Sequence, residues 1–176
     1  MHNKLPKFFS FISRLDENHI RKLEKKIALI FRNYDAKHDK KLILKIKRIC
    51  NKQGRKFFLS NNLKLAVKLD LDGVYIPSFN KSLNFKKFSH KKNFIIIGSA
   101  HSIQEIKIKE RQNAKLIFLS PLFKVDKQKK YLNPLKFNIL ASKTKSKIIA
   151  LGGINHLNLK KLNLVRSYGF AGISYF

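Results

Sequence analysis

The chain has 176 residues, 44% of them apolar and 11% aromatic. That is enough for one domain with a sizeable core, too short for two ordinary domains, and too apolar for a disordered segment. Lys and Arg number 39 against 10 Asp and Glu, a formal charge of +29, which raises a polyanion as partner.

The basic residues run from Lys4 to Arg166 with no dense arm, tail or stripe, and most are Lys rather than Arg. Such a spread points to compositional drift, with nucleic-acid binding as the rival reading. No apolar run approaches the ~18–20 residues that span a bilayer. The basic N-terminus lacks the apolar core and cleavage site of a signal peptide. A single cysteine, Cys50, excludes an internal disulfide; beside Ile46 and Ile49 it reads as a packed thiol in a reducing cytoplasm.

Taken in chain order, short apolar runs alternate with segments of helical period. Phe8–Ile12 and Ile27–Phe31 are strand-length runs, and Leu42, Ile46 and Ile49 line one face of the helix that follows. The run Lys56–Ser60 precedes a helix marked by Leu63, Ala66, Val67 and Leu69. Asp70 and Asp72 then flank the start of Gly73–Ile76, where Asp72 reads as structural. The connection Ser78–Asn93 is poor in helix signal and is expected to be mostly loop. After Phe94–Ala100, Ser102 followed by Glu105 is a capping-box signature. Lys115–Ser120 leads into a long Lys-rich loop between Pro121 and Pro134 that holds Asp126 and is long enough to close over an anion. Ile148–Gly153 ends in two glycines, with a helix expected to open at Asn155 and to use Leu157, Leu162 and Val165. Ala171–Phe176 is the last run.

Eight strands with helical connections define an α/β fold: a single parallel (β/α)₈ TIM barrel over residues 1–176, lean, and lacking the eighth outer helix. An open doubly wound sheet is the alternative, but no G-x-G-x-x-G turn follows the first strand. Without an eighth helix, the flank near Phe170 and Tyr175 is expected to be uncovered and to invite a homo-oligomer.

Barrel chemistry sits on the loops at the C-terminal ends of the strands. Those ends are Arg32–Asn33, Asn61–Asn62, Ser78–Asn80, Ser99-Ala100-His101, Ser120-Pro121 and Gly152–Gly153. Arg32 can fork onto phosphate oxygens, and His101 can move protons near neutrality. Gly152 and Gly153 permit a sharp turn whose amides a phosphate can approach, helped by a following helix N-terminus. No metal cluster, Ser-His-Asp set or P-loop spacing stands out.

The ordered set "GSAHSIQE" (Gly98–Glu105), "IFLSPLF" (Ile117–Phe123) and "IALGGIN" (Ile149–Asn155) resembles thiamine phosphate synthases and the related TenI-type thiazole tautomerases. "SNNLKLAVKLDLDGVYI" (Ser60–Ile76) and, more faintly, "LIFRN" (Leu29–Asn33) extend the likeness over most of the chain. The resemblance implies a (β/α)₈ barrel that joins a hydroxymethylpyrimidine diphosphate to a thiazole phosphate with Mg²⁺. It implies that Arg32, Asn61 and Ser99 hold the diphosphate and that Gly153, with Gly152, meets the thiazole phosphate. The two metal-binding aspartates of the synthases fall on Asn62 and Asn80, so Mg²⁺ binding is expected to be weak. A lysine of the family falls on Tyr34, and its Thr-rich anion loop is "KVDKQKK" (Lys124–Lys130) here. Its last phosphate-gripping serine would lie beyond Phe176. The tautomerase branch needs no metal and implies His101 as proton shuttle. A synthase, a tautomerase-like relative, a non-catalytic phosphate-binding barrel and a nucleic-acid binder are the readings to compare.

Overall fold

Apolar runs too short for helices and buried on both sides must pair as parallel strands under a helical cover. In the computed structural model, which describes residues 4–34, 39–84, 93–125 and 130–172, the strands pair in chain order. They are β1 (Phe8–Ile12), β2 (Ile27–Phe31), β3 (Phe57–Ser60), β4 (Gly73–Ile76), β5 (Ile95–Ala100), β6 (Leu116–Leu119), β7 (Lys147–Leu151) and β8 (Gly169–Gly172). β8 returns to β1 with Phe170 opposite Phe8, so the sheet is a closed parallel barrel.

Strand side chains alternate between two cores. Ala28 and Ile30 of β2, and Leu116 and Phe118 of β6, fill the barrel interior. Their neighbours Ile27, Leu29, Ile117 and Leu119 face the outer layer. That layer holds α1 (Glu17–Lys22), α2 (Lys40–Lys52), α3 (Leu63–Lys68), α4 (Ile103–Arg111) and α5 (Asn133–Ala141). α2 buries Ile43, Ile46, Ile49 and Cys50, and burial pushes the Cys50 thiol up to about 12, which keeps it protonated and inert. Side chains fix the helix starts: Asp16 accepts from the His19 amide, Asp39 from Lys41 and Asn62 from Leu65. Ser102 accepts from the Glu105 amide, while the Glu105 carboxylate accepts from His101 N–H at 2.7 Å, one residue earlier than in a regular capping box. Asp72 is structural, as expected: it accepts from the Phe57 amide and pairs with Lys56 at 2.7 Å.

Two expectations are corrected. No helix opens at Asn155. The Asn155 carboxamide accepts from the Leu157 and Asn158 amides, which closes a turn in competition with a helix, and only a 3₁₀ segment, Leu159–Leu164, follows. Leu162 and Val165 still pack on the core, but Leu157 is 95% exposed. The eighth strand begins at Gly169 rather than Ala171, because Phe170 must meet Phe8, edge to face at 5.2 Å. Residues 173–176, including Tyr175, and residue 126 lie outside the described residues; Phe170 itself is half-buried. Ser78–Asn84 forms no α-helix, as expected for this stretch of the fourth connection.

One buried cation ties the bottom of the barrel together. Arg55, 2% exposed, donates to the carbonyls of Ile20, Leu23, Glu24 and Ile27 and so closes the C-terminal end of α1 and the entry to β2. Arg55→Met keeps much of the stem and removes every donor. It is expected to cost about 3 kcal/mol through unpaired buried carbonyls, read as a lower urea midpoint; an unchanged midpoint would remove this role.

Candidate functional site

The polar strand ends meet around the rim above the aromatic interior. Arg32 leaves β2 with its amide on the Ile12 carbonyl at 2.8 Å, and its guanidinium lies 4.6 Å over the Phe11 ring. Beside it stands Tyr75, whose phenol is pushed up to about 12 by burial, while the Ser99 hydroxyl and Arg32 act in the opposite direction. Arg32, just past β2, and Ser99 of β5 therefore both lie near the Tyr75 phenol of β4. Tyr34, where the resemblance predicts a lysine, accepts a bond from the Ser60 hydroxyl at 3.2 Å and sets its ring edge to face against Phe79 at 5.5 Å. Both rings are partly open to solvent.

Asn61 adopts a left-handed backbone with φ 56°, a conformation that Asn tolerates better than most residues. Its carboxamide oxygen accepts from Asn80 Nδ2 at 2.6 Å. The Asn80 oxygen in turn accepts from the Ser82 amide at 3.0 Å, and the Asn62 oxygen caps α3 at 3.1 Å. Asn61 and Asn80 are thus brought together, while Asn62 is turned to its own helix.

His101 occupies the next sector. Its Nδ1 lies 2.7 Å from the Ser120 carbonyl, and the Ser120 hydroxyl is 3.3 Å from the same nitrogen. A carbonyl only accepts, so Nδ1 carries the proton and the neutral ring keeps its free lone pair on Nε2. Gly152 and Gly153 complete the rim at φ 92° and 70°. A Cβ on Gly152 would stand 2.8 Å from Pro121 Cα, and one on Gly153 2.5 Å from the Lys124 carbonyl oxygen. The glycines therefore let the loop after β6 close over β7, fixed by Leu122 N–H to the Leu151 carbonyl at 2.9 Å and Phe123 N–H to Gly152 at 3.1 Å. Among the described residues the Gly153 and Ile154 amides donate no hydrogen bond, which leaves two donors at this turn.

The residues at the expected metal positions do not fit a hard cation. Asn62 and Asn80 are neutral, and their oxygens already accept backbone N–H groups. The described carboxylates Asp16, Asp39 and Glu105 likewise accept backbone amides at helix starts. Among the described residues no three His, Cys, Asp or Glu side chains gather in a metal-binding group.

Sequence reasoning missed Lys109 of α4 and Gln112, which caps its C-terminal end. Both are wholly buried and both bond to the loop after β4. Burial pushes the Lys109 ammonium down to about 8, opposed by the Glu105 carboxylate. A lysine and a glutamine in a helix this rich in charge carry no signal of burial; the only hint is Gly98 in the strand opposite.

In a closed parallel barrel the C-terminal rim, where Arg32, His101 and the Gly152–Gly153 turn stand here, is the end that carries the chemistry of the fold. The family model described as "Thiamine monophosphate synthase" matches residues 17–176, and the chain belongs to this family of transferases of thiamine biosynthesis. An Aquifex aeolicus protein named "Putative thiamine-phosphate synthase 2" is 29% identical over 187 positions, covering 98% of both chains. The thiamine-phosphate synthase of Flavobacterium johnsoniae is 29% identical over 84% of this chain and 72% of its own length. In fold, the chain is similar to thiamine phosphate pyrophosphorylase from Pyrococcus furiosus, with TM-score 0.76 and 18% identity over 96% of this chain and 86% of the other. Among the described residues no helix is long and apolar enough to cross a membrane.

Gly153→Ala tests how tightly the rim is built. A positive φ and a Cβ against the loop backbone should together cost about 2 kcal/mol, read by urea unfolding; a neutral effect would mean the loop after β6 does not press on this turn.

Proposed function

We propose that the chain performs the synthase reaction of its family, joining hydroxymethylpyrimidine diphosphate to thiazole phosphate. The observation that carries this reading is the Arg32 guanidinium seated 4.6 Å over the Phe11 ring, with the Asn61–Asn80 amide pair on the same rim. Arg32 offers a planar fork of donors to diphosphate oxygens, steadied from below by the Phe11 ring. In the reaction the bond from the pyrimidine methylene to the diphosphate oxygen breaks and its electron pair leaves with pyrophosphate. A bond from that carbon to the thiazole nitrogen replaces it. Negative charge grows on the departing oxygen, where a fixed guanidinium is most effective. The two open amides at Gly153 and Ile154 support the thiazole phosphate. The family uses Mg²⁺, but the Asn62 and Asn80 environments give it no fitting site, and no step here relies on it.

Calorimetry of the purified protein against each substrate, followed by product formation with and without Mg²⁺, tests this reading. Binding of both and release of pyrophosphate are expected; no binding of either at millimolar concentration would overturn it. The variant Asn62→Asp with Asn80→Asp is expected to restore a Mg²⁺-dependent gain in rate. Asp caps α3 as well as Asn does, and the second Asp returns a carboxylate to the rim. A rate indifferent to Mg²⁺ in that variant would show that more than two charges has been lost.

The second reading is a TenI-type proton transfer at His101, favoured by the Nδ1 bond to the Ser120 carbonyl that leaves Nε2 free as a base. Under it, EDTA does nothing and His101→Ala lowers thiazole tautomerisation by about 10²–10⁴-fold. If His101→Ala leaves both tautomerisation and synthase rates intact, the histidine is only a neighbour of the α4 cap.

A further inference from the structure

The loop after β4, Pro77–Leu83, carries Phe79 and Asn80 to the rim without regular structure of its own. What holds it comes from outside the barrel. Lys109 Nζ, wholly buried, donates to the carbonyls of Pro77 at 2.7 Å and Asn80 at 2.8 Å, and to Gln112 Oε1 at 3.0 Å. Gln112 adds Nε2 bonds to the Asn80 carbonyl at 2.9 Å and the Ser82 carbonyl at 2.7 Å. All three ammonium protons have acceptors, and two of those acceptors belong to the loop.

A core position filled for stability alone favours an apolar side chain, because an ammonium loses its hydration on burial. Here the barrel strand has also yielded space to the lysine. A Cβ at Gly98 of β5 would lie 2.7 Å from Lys109 Cδ and 3.2 Å from Cγ, so the lysine stem passes where a side chain would otherwise sit. Strand, helix and loop are therefore matched to one purpose, the delivery of donors to the underside of the β4 loop. The consequence is read at the rim: with the Asn80 carbonyl held from below, its carboxamide reaches Asn61 at 2.6 Å, and Phe79 stands against Tyr34 at 5.5 Å.

We propose that Lys109 and Gln112 are positioning residues that clamp the β4 loop from beneath and so shape the wall of the site that receives the pyrimidine diphosphate. The identity of that ligand rests on the function proposed above; the clamp itself does not. Neither residue touches the ligand, and both act through Phe79 and Asn80.

The test uses two full-length variants. Lys109→Met keeps most of the stem and removes the ammonium donors. Gln112→Glu keeps the volume and the acceptor for Lys109 but removes the donor to Asn80 and Ser82, so it guards against misfolding of the first. Amide hydrogen exchange in the unliganded protein is expected to quicken at least tenfold over Asn80–Asn84 in Lys109→Met, and less in Gln112→Glu, with β6 and β7 unchanged. Calorimetry is expected to show at least tenfold weaker binding of hydroxymethylpyrimidine diphosphate, with thiazole phosphate held within twofold. Unchanged loop exchange in both variants overturns the clamp. A loosened loop with unchanged pyrimidine affinity overturns the positioning role, as does equal weakening of both ligands with loss of protection in the strands. If the wild-type protein binds neither ligand, the proposed function falls, and loop exchange still decides the clamp.

Discussion

Everything at the rim stands on the aromatic filling of the barrel. An eight-strand barrel has an interior just wide enough for side chains, and this one fills much of it with rings. Phe9 meets Phe118 at 4.9 Å, Phe11 meets Tyr75 at 5.4 Å and Tyr75 meets Phe118 at 5.6 Å, each edge to face. Such contacts contribute about 0.5–1.5 kcal/mol apiece beyond the area they bury. They also fix the height of a support at the rim, since the Phe11 ring carries the Arg32 guanidinium. The floor of the candidate site and the hydrophobic core are the same set of side chains.

That dependence explains which features the sequence displayed. Strands buried on both faces must read as unbroken apolar runs, so Ile27–Phe31 and Gly73–Ile76 have the same bounds in the fold as in the sequence pattern. Once the strands are placed, their polar C-terminal ends are placed too, and Arg32, Asn61, Ser99 and His101 follow without further information. The element that escaped lies where side chains compete with the backbone. Asn155 has the composition of a helix start, yet its carboxamide serves a turn whose shape depends on Asn158, whose own Nδ2 reaches the Gly153 carbonyl at 2.6 Å. Lys109 and Arg55 escaped for another reason. A chain with 39 basic residues offers no contrast by which two buried ones stand out, and burial of a cation is decided by carbonyls from distant elements that periodicity does not describe.

The rim divides into two arcs that meet on β5. On one side the Asn61–Asn80 pair, Arg32 and the Tyr34–Phe79 rings are held by side-chain contacts between neighbouring strand ends. On the other, His101, the Ser120 carbonyl and the Gly152–Gly153 turn are held by close backbone approach. Under the proposed function the first arc receives the flat ring and its diphosphate, and the second receives the terminal phosphate beside His101. A two-substrate reaction needs both arcs at once, whereas a tautomerisation needs chiefly the second.

Charge decides how such a site behaves when amides stand in place of carboxylates. Two aspartates facing a diphosphate would repel it and require a divalent cation between them. With Asn62 and Asn80 that repulsion is absent, and the oxygens that remain are bonded to backbone amides rather than waiting for a metal. Under the proposed function Arg32 meets the diphosphate directly, inside the long-range field of a strongly basic chain. Basic side chains stand both at strand starts, as Lys7, Lys115 and Lys147 do, and along the helices, as Lys45 and Lys64 do, so the field draws anions without a single docking face. Attraction of that kind is screened by salt, whereas the Arg32 contact over Phe11 is local and partly shielded. Under the proposed function ionic strength therefore separates the two contributions: the field governs how fast a phosphorylated ligand arrives, and the rim governs how long it stays.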